Sequence, residues 1–264
     1  MTTQEWTGSL EDPPMSSAVS PQASSPAAEP QDIRALDASF MMKVFCVFAV
    51  LALLSLAISL GGKWFGRSIA LAGHADDATP REIVIGNNVI SAPANAIRFE
   101  RQRRDGIASR LDLYLRWPRL DGYSDAARDD FNHANGARRI IFVSFEEQMM
   151  SRDMSGRLEP IYASMLVRPG VTGPGGTTLF SFNEKSGYLN EVLAVAAQPD
   201  GGAFVARCLA GESADESLAP CERDIHVGDN LSLSYRFPRE LLGDWARLDA
   251  AIRAKAASML RSGG

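Results

Sequence analysis

One long apolar run near the start of the chain constrains its fold more than any other feature. Residues 44–60 read VFCVFAVLALLSLAISL and contain no charged residue, proline or glycine. With the apolar residues 40–42, which precede Lys43, the run reaches about 20 residues, the length that a helix needs to cross the hydrocarbon of a bilayer. It therefore predicts a transmembrane helix over residues 40–62.

The ends of the run favour a membrane span over a buried core helix. Lys43 and Lys63 can extend their amines to the two membrane interfaces, and Trp64 fits the aromatic belt at such an interface. A core helix would also keep a polar stripe, which this run lacks. The predicted anchor is represented by Val44, Leu51, Leu54, Leu60 and Trp64.

A cleaved signal peptide is the alternative interpretation of the same run. Translation from Met41 or Met42 would place one lysine before the apolar core, and residues 70–72 read ALA, the form of a cleavage site. That site lies about ten residues beyond the core, and a leader of about 40 residues is long for a signal peptide. The sequence favours an uncleaved signal anchor and leaves the start codon open.

The segments that flank the run differ in composition. Residues 7–30 are rich in proline, serine and alanine and nearly lack large apolar side chains, which predicts a disordered cytoplasmic tail over residues 1–39. A partner-binding tail anchored by Trp6 is the alternative. Residues 63–82 predict a juxtamembrane stalk whose first half continues the helix, with Pro80 beyond its end.

The charge of the chain is unevenly distributed. The formal net charge is −5, and residues 1–40, with six acidic residues and one arginine, account for all of it. The rest of the chain is nearly neutral, whereas nucleic-acid-binding domains usually carry a strong basic excess. Nucleic acid is therefore not expected as a partner.

Residues 83–262 predict one soluble α+β domain with a mainly antiparallel sheet. Leucines alternate with polar residues over 111–116, and the same period of two recurs over 231–237. The run 140–145 is apolar on both faces and fits a central strand. Shorter strand predictions cover residues 82–85, 95–100, 178–182, 191–197 and 203–208.

Two helices are predicted in this domain. The first covers residues 124–136, which begin at Ser124, a plausible N-cap, and end at a glycine. The C-terminal segment carries an apolar stripe at helical spacing, which predicts a helix that packs on the sheet. Asp249 and Arg253 can form an ion pair along it. The stripe consists of Leu241, Trp245, Leu248, Ile252 and Met259.

The orientation of the anchor is inferred from two cysteines. The positive-inside rule does not decide it, because the numbers of basic residues on the two sides of the anchor are nearly equal. Cys208 ends one apolar strand and Cys221 opens the next. Such a pair in an exported domain predicts a disulfide across two neighbouring strands, whereas a cytosolic domain would keep both thiols reduced. The exported interpretation places the domain in the periplasm.

No motif predicts a catalytic residue, a cofactor site or a metal site. Residues 170–178 imitate a phosphate loop, but Gly176 stands where the lysine is required, which favours a turn. Asp224 and His226 would share one strand face as half a metal site, or as an exposed polar pair. The paired carboxylates 129–130 and 146–147 diverge as sequence neighbours must.

The densest basic run contains Arg98, Arg101, Arg103 and Arg104, partly neutralised by Glu100. It is interpreted as a solvated strand end and turn. Contact with phospholipid head groups or with an acidic partner is the alternative.

Three stretches, residues 81–100, 110–124 and 207–249, carry a resemblance to known proteins. Over about residues 40–262 the chain resembles an uncharacterised family of proteobacterial transmembrane-anchored proteins. The resemblance implies an inner-membrane protein with a periplasmic domain and implies no activity or cofactor. The residues that carry it are Pro93, Asn95, Arg98, Trp117, Pro118, Gly122, Tyr123, Cys208, Cys221, Arg236 and Trp245.

Three functions follow as hypotheses from these features. The first is a structural or interaction protein of the cell envelope, held in the inner membrane and binding another envelope protein or the cell wall. The second is a ligand-sensing module, for which the short tail is a poor output domain. The third is an envelope hydrolase or metalloprotein, which would need Asp224, His226 and Arg236 to converge in one cleft.

Overall fold

The computed structural model describes residues 38–71, 73–199 and 201–261, without the side chains of residues 60–71 and 135. The chain divides into two compact units between Ser59 and Leu60. Residues 1–37, with Trp6, lie outside the described part, so the predicted disordered tail stays a prediction. Ala72, the last residue of the possible cleavage site, also lies outside the described part, so that site stays a prediction.

The first helix, α1, runs from Ala38 to Leu71. Its stretch Ala38–Ser59 has a mean hydropathy of 2.5 and none of it is buried, so it is long and apolar enough to cross a membrane. Leu51 and Leu54 are more than half exposed, which a core helix would not allow. A signal sequence would show the same properties.

The predicted anchor residues lie along this helix. Val44 is half-buried, while the side chains of Leu60 and Trp64 are outside the described part. The helix continues past residue 62, as expected for the first half of the stalk.

The second unit contains twelve strands and three further helices in its described residues. The strands are β1 (Pro80–Ile85), β2 (Asn88–Pro93), β3 (Gly106–Ile107), β4 (Arg110–Arg116), β5 (Ile140–Glu147), β6 (Val171–Thr172), β7 (Thr178–Ser181), β8 (Glu191–Ala197), β9 (Ala203–Leu209), β10 (Cys221–Val227), β11 (Leu231–Phe237) and β12 (Leu260–Arg261). The helices are α2 (Arg128–Phe131), α3 (Glu212–Glu216) and α4 (Trp245–Met259).

The strands form two sheets. The large sheet has eight antiparallel strands in the order β4-β5-β11-β10-β9-β8-β7-β6, and the small sheet has four in the order β12-β2-β1-β3. Among the strands of the described residues, only the pair β1–β3 is parallel. The predicted α+β class, with a mainly antiparallel sheet and a C-terminal helix, is confirmed.

The main core lies between the inner face of the large sheet, the small sheet and α4. The leucines of β4 and β11 point into it, as their alternation predicts. Helix α4 contributes Trp245, Leu248, Ile252 and Met259, each at most 8% exposed. The apolar stripe of the C-terminal segment is therefore the face that packs on the sheets.

Two secondary-structure predictions are wrong. Residues 95–100 form no strand but two short 3-10 turns, Ala94–Ala96 and Glu100–Gln102. Residues 124–136 form no continuous helix, since only α2 is α-helical and Ser124 makes no side-chain cap hydrogen bond. The left-handed backbone of His133, with φ of 53°, interrupts that segment.

The turn at residues 94–96 is held by contacts that a strand could not make. The Asn95 side chain donates to the Tyr123 carbonyl at 2.8 Å, and the Tyr123 amide donates to the Asn95 carbonyl at 2.8 Å. Gly122 lies so close that a Cβ there would stand 2.7 Å from the Asn95 carbonyl. Long-range pairing thus outweighs the local strand propensity of this segment.

Gly122→Ala is therefore expected to lower the free energy of unfolding by about 1–3 kcal/mol, because the methyl group would overpack the Asn95 backbone. Urea denaturation would measure the change. Gly243→Ala is the matched control, since a Cβ there meets no atom within 4 Å, and its change should stay within about 0.5 kcal/mol. Equal effects of the two substitutions would contradict the proposed contact.

Cys208 and Cys221 form a disulfide between β9 and β10, where they are direct register partners. Both are buried in the main core. The bridge agrees with the sequence prediction of two neighbouring strands joined across a polar loop. Among the described residues, Cys46 is the free cysteine, and it is exposed on α1.

Candidate functional site

The outer face of the large sheet is covered at two ends and open between them. At one end, the aromatic cluster of Tyr114, Tyr123 and Phe131 packs with Ile140 on β4 and β5. At the other end, a second cluster covers β8 and β9. The central strands β5, β11 and β10 therefore expose their outward side chains in an open cleft. The second cluster consists of Met154, Tyr162, Leu193 and Val205.

The floor of this outer-face cleft follows the strand register. Ser144 of β5 lies opposite Asp112 of β4 on one side and Ser234 of β11 on the other. One step along, Phe142 of β5 lies opposite Arg236 of β11. Side chains in register on one face are neighbours, so the sheet arranges hydroxyl, charged and aromatic groups in rows.

Arg110 organises the polar end of the floor. Its guanidinium donates to Asp112 at 2.8 Å, to Glu146 at 2.9 Å and to the Ser144 hydroxyl at 2.7 Å. Burial by itself would raise the pKa of Asp112, but hydrogen bonds from Arg110, Gln102 and Ser144 outweigh it and hold that pKa below its usual value. These carboxylates are thus already matched with donors.

Two other arginines of the cleft are not matched. The guanidinium carbon of Arg98 lies 4.8 Å from the centre of the Phe142 ring and 5.1 Å from that of Phe99. Arg236 is exposed, and its register partner Glu222 pairs with Arg207 at 3.7 Å. With the described residues, neither Arg98 nor Arg236 forms an ion pair or a side-chain hydrogen bond.

The aromatic end of the cleft is built around His74, in the linker that follows α1. Its ring stacks on Tyr123 with centroids 4.7 Å apart, and its Nδ1 shares a 3.1 Å hydrogen bond with the Tyr114 hydroxyl. Burial lowers the pKa of His74, which favours the neutral ring. Arg103 donates to the Gly73 carbonyl at 2.7 Å, so the linker is fastened at this end.

The cleft consists of two adjoining cavities. The polar cavity has a volume of about 600 Å³ and contains Arg110, Ser144 and Arg236. The aromatic cavity has a volume of about 420 Å³ and contains His74, Phe99 and Tyr114. Both cavities are lined by the same three residues at their junction, which are Arg98, Phe142 and Leu218.

The disulfide loop forms one wall of the cleft. Residues 209–220 lie between the bridged cysteines, and this segment supplies Glu216 and Leu218 to the cleft lining. Leu218 is 40% exposed and Phe99 is 36% exposed, so two large apolar side chains stand at the rim. The bridge between Cys208 and Cys221 thus holds a wall of the site.

Asp224, His226 and Arg236 lie on the same outer face of β10 and β11 but line two adjoining cavities. Asp224 and His226 line a cavity of about 170 Å³ that adjoins the polar cavity of Arg236 and shares Glu146, Glu222 and Ser234 with it. Asp224 is ion-paired with Arg157. Burial raises the pKa of Asp224 and Arg157 opposes the rise. The Asp224 carboxylate is thus matched by Arg157, and no hydrogen bond or ion pair among the described residues joins Asp224, His226 and Arg236 in one site.

The other motifs have structural roles. Residues 170–178 contain β6 and the turn that joins it to β7, and the Gly175 carbonyl accepts a 2.9 Å hydrogen bond from the Trp245 indole. The arginines of the basic run have different contacts: Arg103 donates to backbone carbonyls, whereas Arg101 lies over the Phe99 ring. Within the described ranges, no three His, Cys, Asp or Glu side chains group to hold a metal ion.

No protein-family model matches this chain, and no curated protein matches its sequence. Two solved structures are similar to it. An immunity protein of the Stenotrophomonas maltophilia type IV secretion system shares 17% identity at a TM-score of 0.47, over 72% of this chain and 96% of that one. The Neisseria meningitidis iron-regulated outer membrane lipoprotein shares 6% identity at a TM-score of 0.41, over 70% and 94%. Neither likeness is close enough to transfer a function.

Proposed function

We propose that this chain is a membrane-anchored cell-envelope protein whose second unit binds another envelope protein through the outer-face cleft. The apolar helix would hold it in the inner membrane, with the disulfide-bonded unit in the periplasm. The observation that carries the proposal is the open cleft, where apolar rim residues stand beside unmatched arginines. Aromatic residues and arginine are enriched at protein interfaces and dominate their binding energy.

The composition of the cleft favours binding over chemistry. Asp112 and Glu146 are held by Arg110, so these carboxylates are not poised as an acid and base pair. Burial of the exposed Phe99 and Leu218 would stabilise a complex by about 25 cal/mol per Å² of apolar surface removed from water. A partner that covers the rim would remove this surface from water.

Topology is the first part of the test. A C-terminal alkaline phosphatase fusion is expected to be active, and Cys208 and Cys221 are expected to react with a thiol reagent only after reduction. Cys46→Ala removes the remaining thiol and serves as the background. An inactive fusion with freely labelled thiols would place the unit in the cytoplasm and overturn the proposal.

Site-specific crosslinking is the second part. A photoreactive residue at Leu218, on the rim, is expected to crosslink the full-length protein in cells to one defined envelope protein. The same residue at Arg119, whose side chain is 77% exposed and outside the cleft, should not give that product. Identical products from both positions would contradict a role for the cleft.

A further inference from the structure

Two unmatched arginines, Arg98 at the junction of the two cavities and Arg236 in the polar cavity, define the chemistry of the occupant. Arg98 and Arg236 are both neighbours of Phe142, one over its ring and one across the strand register. The nearby carboxylates of Asp112, Glu146 and Glu222 already have arginine partners. Arg98 and Arg236 therefore offer guanidinium donors that no described side chain uses in an ion pair.

We infer that Arg98 and Arg236 form a carboxylate subsite, which takes an aspartate or glutamate of the partner protein with an apolar residue beside it. This inference rests on the proposed function and names the chemistry of its partner. The planar guanidinium suits the two oxygens of a carboxylate. The neighbouring Phe99, Leu218 and aromatic cavity suit an adjacent apolar side chain.

The charge pattern favours one acidic peptide segment over an anionic membrane surface. Glu216, Glu222 and Glu146 line the same polar cavity as Arg236. A surface with many anionic groups would meet these carboxylates together with the arginines. A single carboxylate at the junction avoids them, while Ser144 and Ser234 on the floor can hydrogen-bond a peptide backbone.

The probes are two peptides that differ in one group: acetyl-Ala-Glu-Phe-Ala-amide and its glutamine counterpart. They are titrated against the full chain in detergent micelles, with the arginine side-chain N–H signals followed by NMR. The glutamate peptide is expected to shift the signals of Arg98 and Arg236 and to bind at least about tenfold more tightly than the glutamine peptide. Equal affinities of the two peptides would overturn the subsite.

Variants assign the effect to the two side chains. Arg98→Ala and Arg236→Ala are each expected to weaken binding of the glutamate peptide at least about fivefold, and Arg236→Lys should restore part of it because the charge remains. Arg119→Ala is the matched control and should bind as the unaltered protein does. Circular dichroism shows whether each variant is folded. Loss of discrimination in Arg119→Ala would contradict the assignment.

Two further experiments distinguish a peptide carboxylate from a phosphate group as the ligand of the two arginines. Inorganic phosphate and phosphatidylglycerol vesicles are each added as competitors of the glutamate peptide. Competition as strong as that of the peptide itself would overturn the acidic-segment inference in favour of a phosphate ligand. If the Leu218 crosslink to an envelope protein survives in the Arg98→Ala, Arg236→Ala double variant, the proposed function stands and this inference fails.

Discussion

Asp249→Ala is expected to lower the free energy of unfolding by about 3–5 kcal/mol, because it leaves the Arg223 charge buried without a partner. Arg223 is fully buried, and its Nε donates to Asp249 at 3.0 Å. Asp249 also accepts from the Tyr235 hydroxyl at 2.8 Å and from Arg253 at 2.9 Å. Urea denaturation of the full chain in detergent micelles would measure the loss.

Two comparisons separate this effect from a general loss of packing. Arg253→Ala should cost less than about 1 kcal/mol, because Arg253 is 43% exposed and its pair with Asp249 is screened by water. The double variant Arg223→Met, Asp249→Leu should be more stable than Asp249→Ala, since it leaves no buried charge. A double variant as unstable as the single one would contradict this account.

The same carboxylate predicts the response to acid. Burial alone would raise the pKa of Asp249, but Arg223, Arg253 and Tyr235 together hold it below its usual value. Asp249 therefore contributes stability above its unfolded pKa of about 3.9, and this is lost as the pH falls through the lower, folded pKa. The melting temperature should fall less between pH 5 and pH 2 in Asp249→Asn than in the unaltered protein.

Cys208→Ala is expected to lower the free energy of unfolding by roughly 2–5 kcal/mol, because the bridge limits the conformations of the unfolded chain. The cysteines are 13 residues apart, and a loop of this size corresponds to about 3 kcal/mol in the chain-entropy model. Thermal unfolding under oxidising conditions would measure the change. A reductant should destabilise the unaltered protein similarly and leave Cys208→Ala unaffected.

The control for this prediction is Cys46→Ala, which removes an exposed cysteine of α1 and should leave the second unit unchanged. An unaltered melting temperature of Cys208→Ala in oxidising buffer would show that the bridge does not stabilise the fold. Since the loop it closes supplies Leu218 to the cleft, loss of the bridge should also weaken crosslinking from that position.

Much of the fold could be predicted from local sequence patterns. The alternation over 111–116 and 231–237 decided which face of β4 and β11 is buried, because a strand turns successive side chains to opposite faces. The stripe in α4 and the pairing of Asp249 with Arg253 followed from helical spacing in the same way. The ends of segments were less predictable: β1 begins at Pro80, inside the expected stalk.

The partners of the buried arginine could not be predicted from its surroundings in the sequence. Arg223 lies two residues after Cys221 on β10, so both side chains point to the buried face of the strand, where an unpaired arginine is not expected. β10 and β9 pair at only two positions, and beyond them the Arg223 guanidinium donates to the Val205 carbonyl at 2.8 Å and to the Ser155 hydroxyl at 2.9 Å. Its partners come from three distant segments, so no local pattern marks it.

By itself, the sequence determined the apolar helix, the strand faces, the C-terminal helix and the pairing of Cys208 with Cys221, since each depends on residues close together in the chain. Only the tertiary structure decided the outer-face cleft. The register brings Phe142 beside Arg236, and the turn after residue 96 places Arg98 over the same ring. Strand order and turn geometry come from long-range packing, which overrides local propensity, and so the candidate site was not visible in the sequence.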